Sequence, residues 1–178
     1  MENLKNLKQN ELFARLIEYR IDFAYTRQAY YNAYNRVNNQ NKRIVFRNKF
    51  LGLFSILISI ITLSALTLFL TQETKEIRII SIVSGLSIIS LIISIYLFST
   101  KELVDSRPYL ERAEAYSVLF KRAKNFEAFC KSEQEITNEK IWDKLLHFEN
   151  EQEKLLKLSL EIRKDDFDLA KDNIIDFI

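Results

Sequence analysis

The stretch Phe50–Leu70 reads FLGLFSILISIITLSALTLFL and holds 21 consecutive residues without a charge. A second stretch, Ile79–Phe98, reads IISIVSGLSIISLIISIYLF and is uncharged over 20 residues. As a helix, each would reach about 30 Å, the thickness of the hydrocarbon core of a bilayer. If both were core helices of a soluble domain, each would need helices around its whole circumference, and the rest of the chain could barely cover two. The sequence therefore predicts two transmembrane helices, although the mean hydropathy is only −0.12.

The connection between the two apolar stretches is Thr71–Arg78, which has two acids and two bases. So short a link predicts an antiparallel hairpin with a small outside loop. Lys and Arg concentrate before the first stretch, at Lys42, Arg43, Arg47 and Lys49, and Lys101 and Arg107 follow the second. Because such residues favour the cytoplasmic side, both termini are expected in the cytoplasm, with two passes through the membrane. A cleavable signal peptide is not expected, since the first 48 residues are polar and amphipathic.

The composition excludes several classes of protein. The chain has 2 Gly and 1 Pro, too few turn-forming residues for a sandwich or barrel of many strands. It has no glycine-rich phosphate loop. One Cys, Cys130, and one His, His147, make neither a zinc site nor a disulfide framework. We therefore expect an all-α protein that is not an enzyme and has no cofactor, catalytic residue or metal.

The N-terminal arm, residues 1–49, is basic, with ten Lys and Arg against four acids. A helix is predicted from Asn10 to about Asn38, because apolar residues recur at every seventh position, as in a coiled coil. This first row is Leu16, Phe23, Tyr30 and Val37. The run Asn38–Asn41 consists of poor helix formers and predicts a kink or a short break.

Tyrosine and arginine alternate along this arm. Five of the eight tyrosines lie within Tyr19–Tyr34, among Arg20, Arg27 and Arg36. Such a face could stack nucleobases and hold phosphates. Alternatively, the aromatics pack on neighbouring helices while the bases meet anionic lipid headgroups. The second interpretation is favoured, because the first apolar row already uses Tyr30, and a second row of Leu12, Tyr19 and Ala33 uses Tyr19. We therefore predict membrane lipid as a partner and no specific nucleic acid.

The C-terminal arm, residues 99–178, is acidic and predicts further helices. Asp105–Pro108 has the form of a helix start, and that helix should run to about Lys131. Ser132–Glu135 has capping-box form and should open a last helix. The tail, Asp165–Ile178, either caps the fold or docks on a partner.

Each helix of this arm has a row of apolar positions. In the first helix the row is Tyr109, Tyr116, Leu119, Ala123, Phe126 and Cys130, and Arg112 is its one polar member. In the last helix the row recurs at every seventh position and consists of Ile141, Phe148, Leu155, Ile162 and Leu169.

The opposite charges of the arms predict that they pack together, as a short antiparallel helical bundle or coiled coil. The same apolar rows could also pair between subunits, so a homo-oligomer is expected. The domain organisation would then be a basic helix over 1–49, a hairpin over 50–98 and acidic cytoplasmic helices over 99–178.

Small and hydroxyl-bearing residues line one face of each apolar stretch. In the first stretch they are Gly52, Ser55, Ser59 and Thr62, and in the second they are Ser84, Ser87 and Ser94, with Gly85 and Ser90 beside them. Such stripes let helices approach and hydrogen-bond within a hairpin. In an oligomer they could instead line and wet a shared axis. A pore of this kind would be weakly selective, because neither stretch carries a charge.

The order of these parts, together with the run Tyr109–Ala123 (YLERAEAYSVLFKRA), resembles the SLATT family. These are the SMODS- and SLOG-associating two-transmembrane effectors of bacterial defence systems. The resemblance covers roughly residues 10–165 and rests on architecture, on the region from Arg112 to Tyr116 and on the arginine-bearing helix before the membrane. The Trp that some members carry before the first span is absent, since the only Trp is Trp142.

The resemblance implies a membrane effector of anti-phage defence and abortive infection, located in the bacterial inner (plasma) membrane. Its partner would be a sensor protein or a nucleotide second messenger, and activation would assemble or open a pore. A different class of function also fits: a non-conducting, membrane-anchored coiled-coil adaptor for a cytoplasmic partner. A phage holin fits less well, because the two arms are long for a timed membrane lesion.

Overall fold

The computed structural model describes residues 2–71, 77–99, 102–132, 136–157 and 160–174. They form five helices, namely α1 (Glu2–Thr71), α2 (Ile77–Phe98), α3 (Arg107–Ser132), α4 (Asn138–Leu156) and α5 (Lys164–Ile174). No strand occurs among them, so the all-α prediction is confirmed. Residues 72–76 of the expected loop, most of the capping box and the end of the tail lie outside the described residues.

Two compact units divide the chain: one within 1–38 and 105–178, here called the core unit, and one within 39–104, here called the apolar unit. These limits follow packing, whereas the ranges 1–49, 50–98 and 99–178 follow hydropathy. The core unit therefore combines most of one arm with most of the other.

The core unit packs α1, α3 and α4 around a continuous apolar core. Phe23 meets Phe148 edge to face, with ring centroids 5.8 Å apart. Tyr30 stacks on Tyr116, with centroids 5.7 Å apart. Such aromatic pairs contribute about 0.5–1.5 kcal/mol beyond the burial of their area. The buried members of this core are Leu16, Phe23, Tyr30, Ala113, Tyr116, Leu119, Ala123, Ile136, Ile141, Leu145 and Phe148.

The expected break at Asn38–Asn41 is wrong, because α1 is helical through these four residues. Poor helix formers cost only about 0.5 kcal/mol each, and packing overrides so small a preference. Val37, just before the run, is 4% exposed. Asn41 uses its side-chain amide elsewhere, donating from Nδ2 to the carbonyl oxygen of Val104 at 2.7 Å.

The start of α3 follows the sequence pattern. The helix begins at Arg107, whose backbone N–H donates to Oδ1 of Asp105 at 3.0 Å. Pro108 occupies the first turn, where a missing N–H costs nothing. The opening of α4 differs from the prediction. It begins at Asn138, and Thr137 precedes it in an extended conformation without a side-chain capping bond.

The single last helix expected beyond Ser132 is also wrong. The chain leaves α4 after Leu156 and starts α5 at Lys164. Because the helix restarts, the sevenfold spacing is lost: Leu169 is 54% exposed, and Asp166 and Ala170 are buried instead. At the end of α4, the buried guanidinium of Arg112 donates to the carbonyl oxygen of Leu155, one of the last carbonyls of that helix.

Two helices are long and apolar enough to cross a membrane, through windows within Gln9–Thr67 and Ser81–Phe98. Only 6% and 0% of those windows are buried. A core helix of a soluble protein would be mostly buried, so this exposure distinguishes the two helices from core helices.

Candidate functional site

The apolar part of α1 and α2 meet along one face of each helix. On α1 the less exposed positions recur at spacings of three and four, and Ile58 is only 5% exposed. These positions are Leu51, Ser55, Ile58, Thr62 and Ala65 on α1, and Val83, Leu86, Ser90, Ile93 and Leu97 on α2. The spacing is that of two helices packed side by side along a seam.

A cluster of three serines joins the two helices near the middle of the seam. The Oγ atoms of Ser55 and Ser90 lie 3.2 Å apart, and those of Ser59 and Ser90 lie 3.4 Å apart. Hydrogen bonds between helices in an apolar medium contribute about 0.6 kcal/mol each on average. The cluster therefore sets the alignment of α1 against α2 but contributes little to the free energy that holds them together.

Next to the serine cluster lies an open groove with a volume of about 410 Å³. It is lined by Ser59, Thr62, Leu63, Leu66, Ser87, Ser90, Leu91 and Ser94. Five of these eight side chains carry a hydroxyl group, so the hydroxyl groove, as it is called below, differs from the leucine- and isoleucine-rich outer faces of both helices.

Most hydroxyls of the groove donate to their own helix. Ser59 donates to the carbonyl of Ser55 at 2.9 Å, and Thr62 donates to that of Ile58 at 2.8 Å. On α2, Ser87 and Ser94 donate in the same way to Val83 and Ser90, each at 2.9 Å. A hydroxyl that donates to its helix still has lone pairs that accept. The groove is therefore compatible with lipid when empty, and it offers acceptors to water or a cation when wetted.

The residues expected from the sequence divide into two groups. The groove is lined by Ser59, Thr62, Ser87 and Ser94, and Ser55 belongs to the serine cluster. Gly52 and Ser84 do neither: a Cβ added at Gly52 would meet nothing within 4 Å, so it allows no close approach, and Ser84 is exposed. Ser90, placed beside the stripe, is the central contact. Ser90 lies four residues after Leu86 and three residues before Ile93, which is the spacing of one helix face, and this spacing is the signal that could have identified it.

The expected apolar rows are used inside one chain. Leu16, Phe23, Tyr30 and Val37 are buried in the core unit, as are Tyr116, Leu119, Ile141 and Phe148. Phe126, Leu155 and Ile162 pack against the same core and are partly buried. These side chains are therefore occupied by the packing of a single chain.

The arginines among the tyrosines also have partners within the core unit. Nε of Arg20 lies 3.0 Å from Oε2 of the buried Glu127. The guanidinium of Arg27 lies over the ring of Phe120, 5.0 Å from its centre. Arg36 binds Asp166 through two nitrogens, with Nη2 and Oδ2 2.8 Å apart. Glu127 and Asp166 were not singled out from the sequence, and the opposite charges of the two arms were the only signal for them.

The buried Tyr116 gives the core unit a pH dependence. Burial raises the pKa of this phenol to about 12, and Tyr30 adds to the shift while Arg112 opposes it. The folded chain thus keeps a proton that the unfolded chain loses near the ordinary pKa of 10.0. Since the unfolded state binds fewer protons in that range, the contribution of Tyr116 to the free energy of unfolding is expected to be constant below about pH 10 and to fall from there towards pH 12.

Denaturant unfolding of the full chain in detergent, followed from neutral to alkaline pH, measures this fall. Tyr116→Phe is expected to make it shallower. An equally steep fall in the variant would show that other groups cause the alkaline loss.

Among the described residues, no three His, Cys, Asp or Glu side chains form a group that could hold a metal ion. His147 is exposed on α4, with its ring centre 6.4 Å from that of Phe148. Comparison with protein-family models, curated proteins and solved structures finds no match for this chain. The features of the chain that bear on its function are the hydroxyl groove, the two exposed apolar helices and the core unit.

Proposed function

We propose that this chain is a membrane effector of bacterial anti-phage defence. In the proposal, the apolar part of α1 and α2 cross the inner membrane as a hairpin, with both termini in the cytoplasm. Several hairpins assemble into a weakly selective pore when an infection-sensing partner or a nucleotide signal triggers them. The pore then depolarises the membrane of the infected cell.

The hydroxyl groove is the observation that carries this proposal. It runs along two helices that have exposed leucines and isoleucines on their other faces, such as Leu53 (61%) and Leu91 (61%). A single hairpin in lipid leaves the groove dry. When several hairpins turn their grooves to a common axis, five hydroxyls per chain can replace part of the hydration shell of an ion or bind water. Because the groove contains no charged side chain, selection between ions is expected to be weak, with only a modest advantage for cations from the lone pairs of the hydroxyls.

The surfaces available for assembly are the outer faces of the two apolar helices. The apolar rows on α1, α3 and α4 are already buried within the core unit, so they are not free to pair between subunits while that unit is folded. Side chains such as Ile61 (56% exposed) and Ile95 (60% exposed) are free to pack against another hairpin. In lipid the hydrophobic effect does not drive helices together, so such an assembly would be stabilised by van der Waals contacts between the packed side chains.

The defence role and the trigger rest on the resemblance to the SLATT family. The resemblance supplies the expectation of a sensor protein or nucleotide second messenger, and the core unit is the part of the chain outside the proposed spans on which such a signal would act. Its closed core and its ion pairs support a folded regulatory portion.

Reconstitution of the full chain in vesicles tests the pore directly. Leakage of a small dye and dissipation of a K⁺ gradient, read with a voltage-sensitive dye, are expected to rise steeply with the protein-to-lipid ratio, because several chains are needed for each pore. Rates for K⁺, Na⁺ and Cl⁻ are expected to differ only modestly. At high density the chains are expected to assemble by mass action without the trigger, so vesicles that hold the chain at high density and keep their gradients would contradict the pore.

A second candidate function is the non-conducting adaptor. The observation that favours it is a pair of large apolar side chains on one face of α4, Trp142 at 50% and Leu146 at 47% exposure, which a cytoplasmic partner could cover. Exchange of residues 50–98 for an unrelated membrane hairpin separates the two candidates. An adaptor would keep its cellular function after this exchange, and a pore would lose it.

A further inference from the structure

The outer face of α1 just before the apolar stretch carries cations and aromatic rings in alternation. Its six residues, called the basic face below, are Lys42, Arg43, Phe46, Arg47, Lys49 and Phe50. At 100° per residue they fall within about 160° of the helix circumference. All six are exposed, Phe46 to 74% and Phe50 to 61%. The opposite face, through Asn48 and Leu51, is less exposed.

The cations of the basic face differ from those of the core unit in what they contact. In the core unit, Arg20 and Arg36 pair with buried acids. In the described part of the apolar unit, Glu102 is the one acidic side chain, and no ion pair joins it to Lys42, Arg43 or Lys49. The four cations on this short helical face therefore repel each other, and no acidic side chain nearby among the described residues reduces this repulsion. An anion from outside the chain would reduce it.

The aromatic residues identify the kind of anion. Phe46 and Phe50 begin a stripe that continues on the same side of α1 to Leu53 and Leu57, which are 61% and 51% exposed. The guanidinium of Arg47 lies over the ring of Tyr96 on α2, 5.3 Å from its centre. A tyrosine at the end of an apolar helix is typical of the membrane–water interface, and there an exposed phenylalanine meets acyl carbons while a neighbouring cation meets phosphate.

We infer that the basic face binds anionic phospholipid headgroups, with Lys42, Arg43 and Lys49 contacting phosphate while Phe46 and Phe50 enter the acyl region. This inference rests on the membrane placement in the proposed function and does not require conduction. A nucleic acid would also satisfy the cations, but it would leave the stripe from Phe46 to Leu57 in water. Continuity with that stripe therefore favours lipid.

Lipid binding to the full chain in an uncharged detergent tests the inference. Phosphatidylglycerol is expected to bind and to raise the melting temperature, and phosphatidylcholine is not. Each juxtamembrane cation changes affinity about fivefold, so the triple variant Lys42→Gln/Arg43→Gln/Lys49→Gln is expected to weaken phosphatidylglycerol binding roughly hundredfold. The matched control is Lys121→Gln/Arg122→Gln/Lys124→Gln, which removes three exposed cations from α3 and is expected to leave binding unchanged.

Four results would overturn the inference. The first three are equal binding of the two lipids, equal loss of binding in both triple variants, and stabilisation by inorganic phosphate equal to that by phosphatidylglycerol, which would indicate a site for a soluble anion. Displacement of phosphatidylglycerol by a single-stranded oligonucleotide at lower concentration would assign the face to nucleic acid instead. If the chain binds phosphatidylglycerol through these cations but never dissipates a gradient, the pore is refuted and the lipid-binding face is retained. If the chain dissipates a gradient but shows no preference between the lipids, the lipid-binding face is refuted and the pore is retained.

Discussion

Replacing Ser90 with leucine is expected to lower the conductance of the reconstituted chain by about tenfold or more, while the protein stays in the membrane. Ser90 lies between Ser55 and Ser59, with its Oγ 3.2 and 3.4 Å from theirs. Three added carbon atoms at this contact overpack the seam at a cost of about 1–3 kcal/mol, which corresponds to roughly a tenfold change in the population of the native hairpin. They also replace a hydroxyl of the groove with an apolar side chain.

The control for Ser90→Leu is Ser64→Leu. Ser64 is exposed on α1, and its hydroxyl donates to the carbonyl of Ile60 at 2.8 Å. The same chemical change is made there outside the groove, so conductance is expected to stay near that of the unmodified chain. Ser90→Ala removes the hydroxyl without adding bulk and is expected to have an intermediate effect. Equal conductance in Ser90→Leu and Ser64→Leu would show that the groove conducts nothing.

The sequence was sufficient for the features that depend on local pattern. Two uncharged stretches longer than 18 residues identify helices of membrane-spanning length, because length and hydropathy alone decide this. The sevenfold spacing of Leu16, Phe23 and Tyr30 identifies the buried face of α1, because a helix presents such positions on one side. The hydroxyl stripes could be predicted for the same reason.

Features that depend on contacts distant in sequence could not be predicted. Arg36 and Asp166 are 130 positions apart, and no local signal pairs them. Leu169 continued the sevenfold spacing, but the restart of the helix at Lys164 placed Ala170 in the buried position. At Asn38–Asn41, a local preference against helix was outweighed by packing on the preceding turn, where Val37 is buried.

The attachment of α5 depends on charge more than on apolar contact. The carboxylate of Asp166 is 3% exposed and binds the guanidinium of Arg36, whose pKa is raised by this hydrogen bond. Oδ2 of Asp166 also accepts from the backbone N–H of Arg163 at 3.2 Å, which caps the start of α5. Asn32 donates to the backbone carbonyl of Asp166 at 3.0 Å. In contrast, Ala170 is the one buried apolar side chain among the described side chains of α5.

Asp166→Asn is therefore expected to release α5 while the rest of the core unit stays folded. Losing this ion pair is expected to cost about 2–3 kcal/mol, less than a fully buried pair, because the carboxylate of Asp166 is 3% exposed whereas the guanidinium of Arg36 is 21% exposed and stays partly hydrated. A single buried alanine cannot offset such a loss. Amide hydrogen exchange within 164–172 is expected to accelerate roughly hundredfold, and exchange in α3 is expected to stay unchanged.

Asp165→Asn is the matched control, because Asp165 is the neighbouring acid in the same first turn of α5 and is exposed. Both variants remove one negative charge near the helix N-terminus, so their difference separates the contacts of the Asp166 carboxylate, with Arg36 and with the N–H of Arg163, from the interaction with the helix dipole. Arg36→Gln is expected to release α5 to a similar extent, and adding it to Asp166→Asn should cost little more, since the pair acts as one unit. If Asp166→Asn and Asp165→Asn accelerate exchange equally, α5 is held by apolar contacts and the ion pair is incidental.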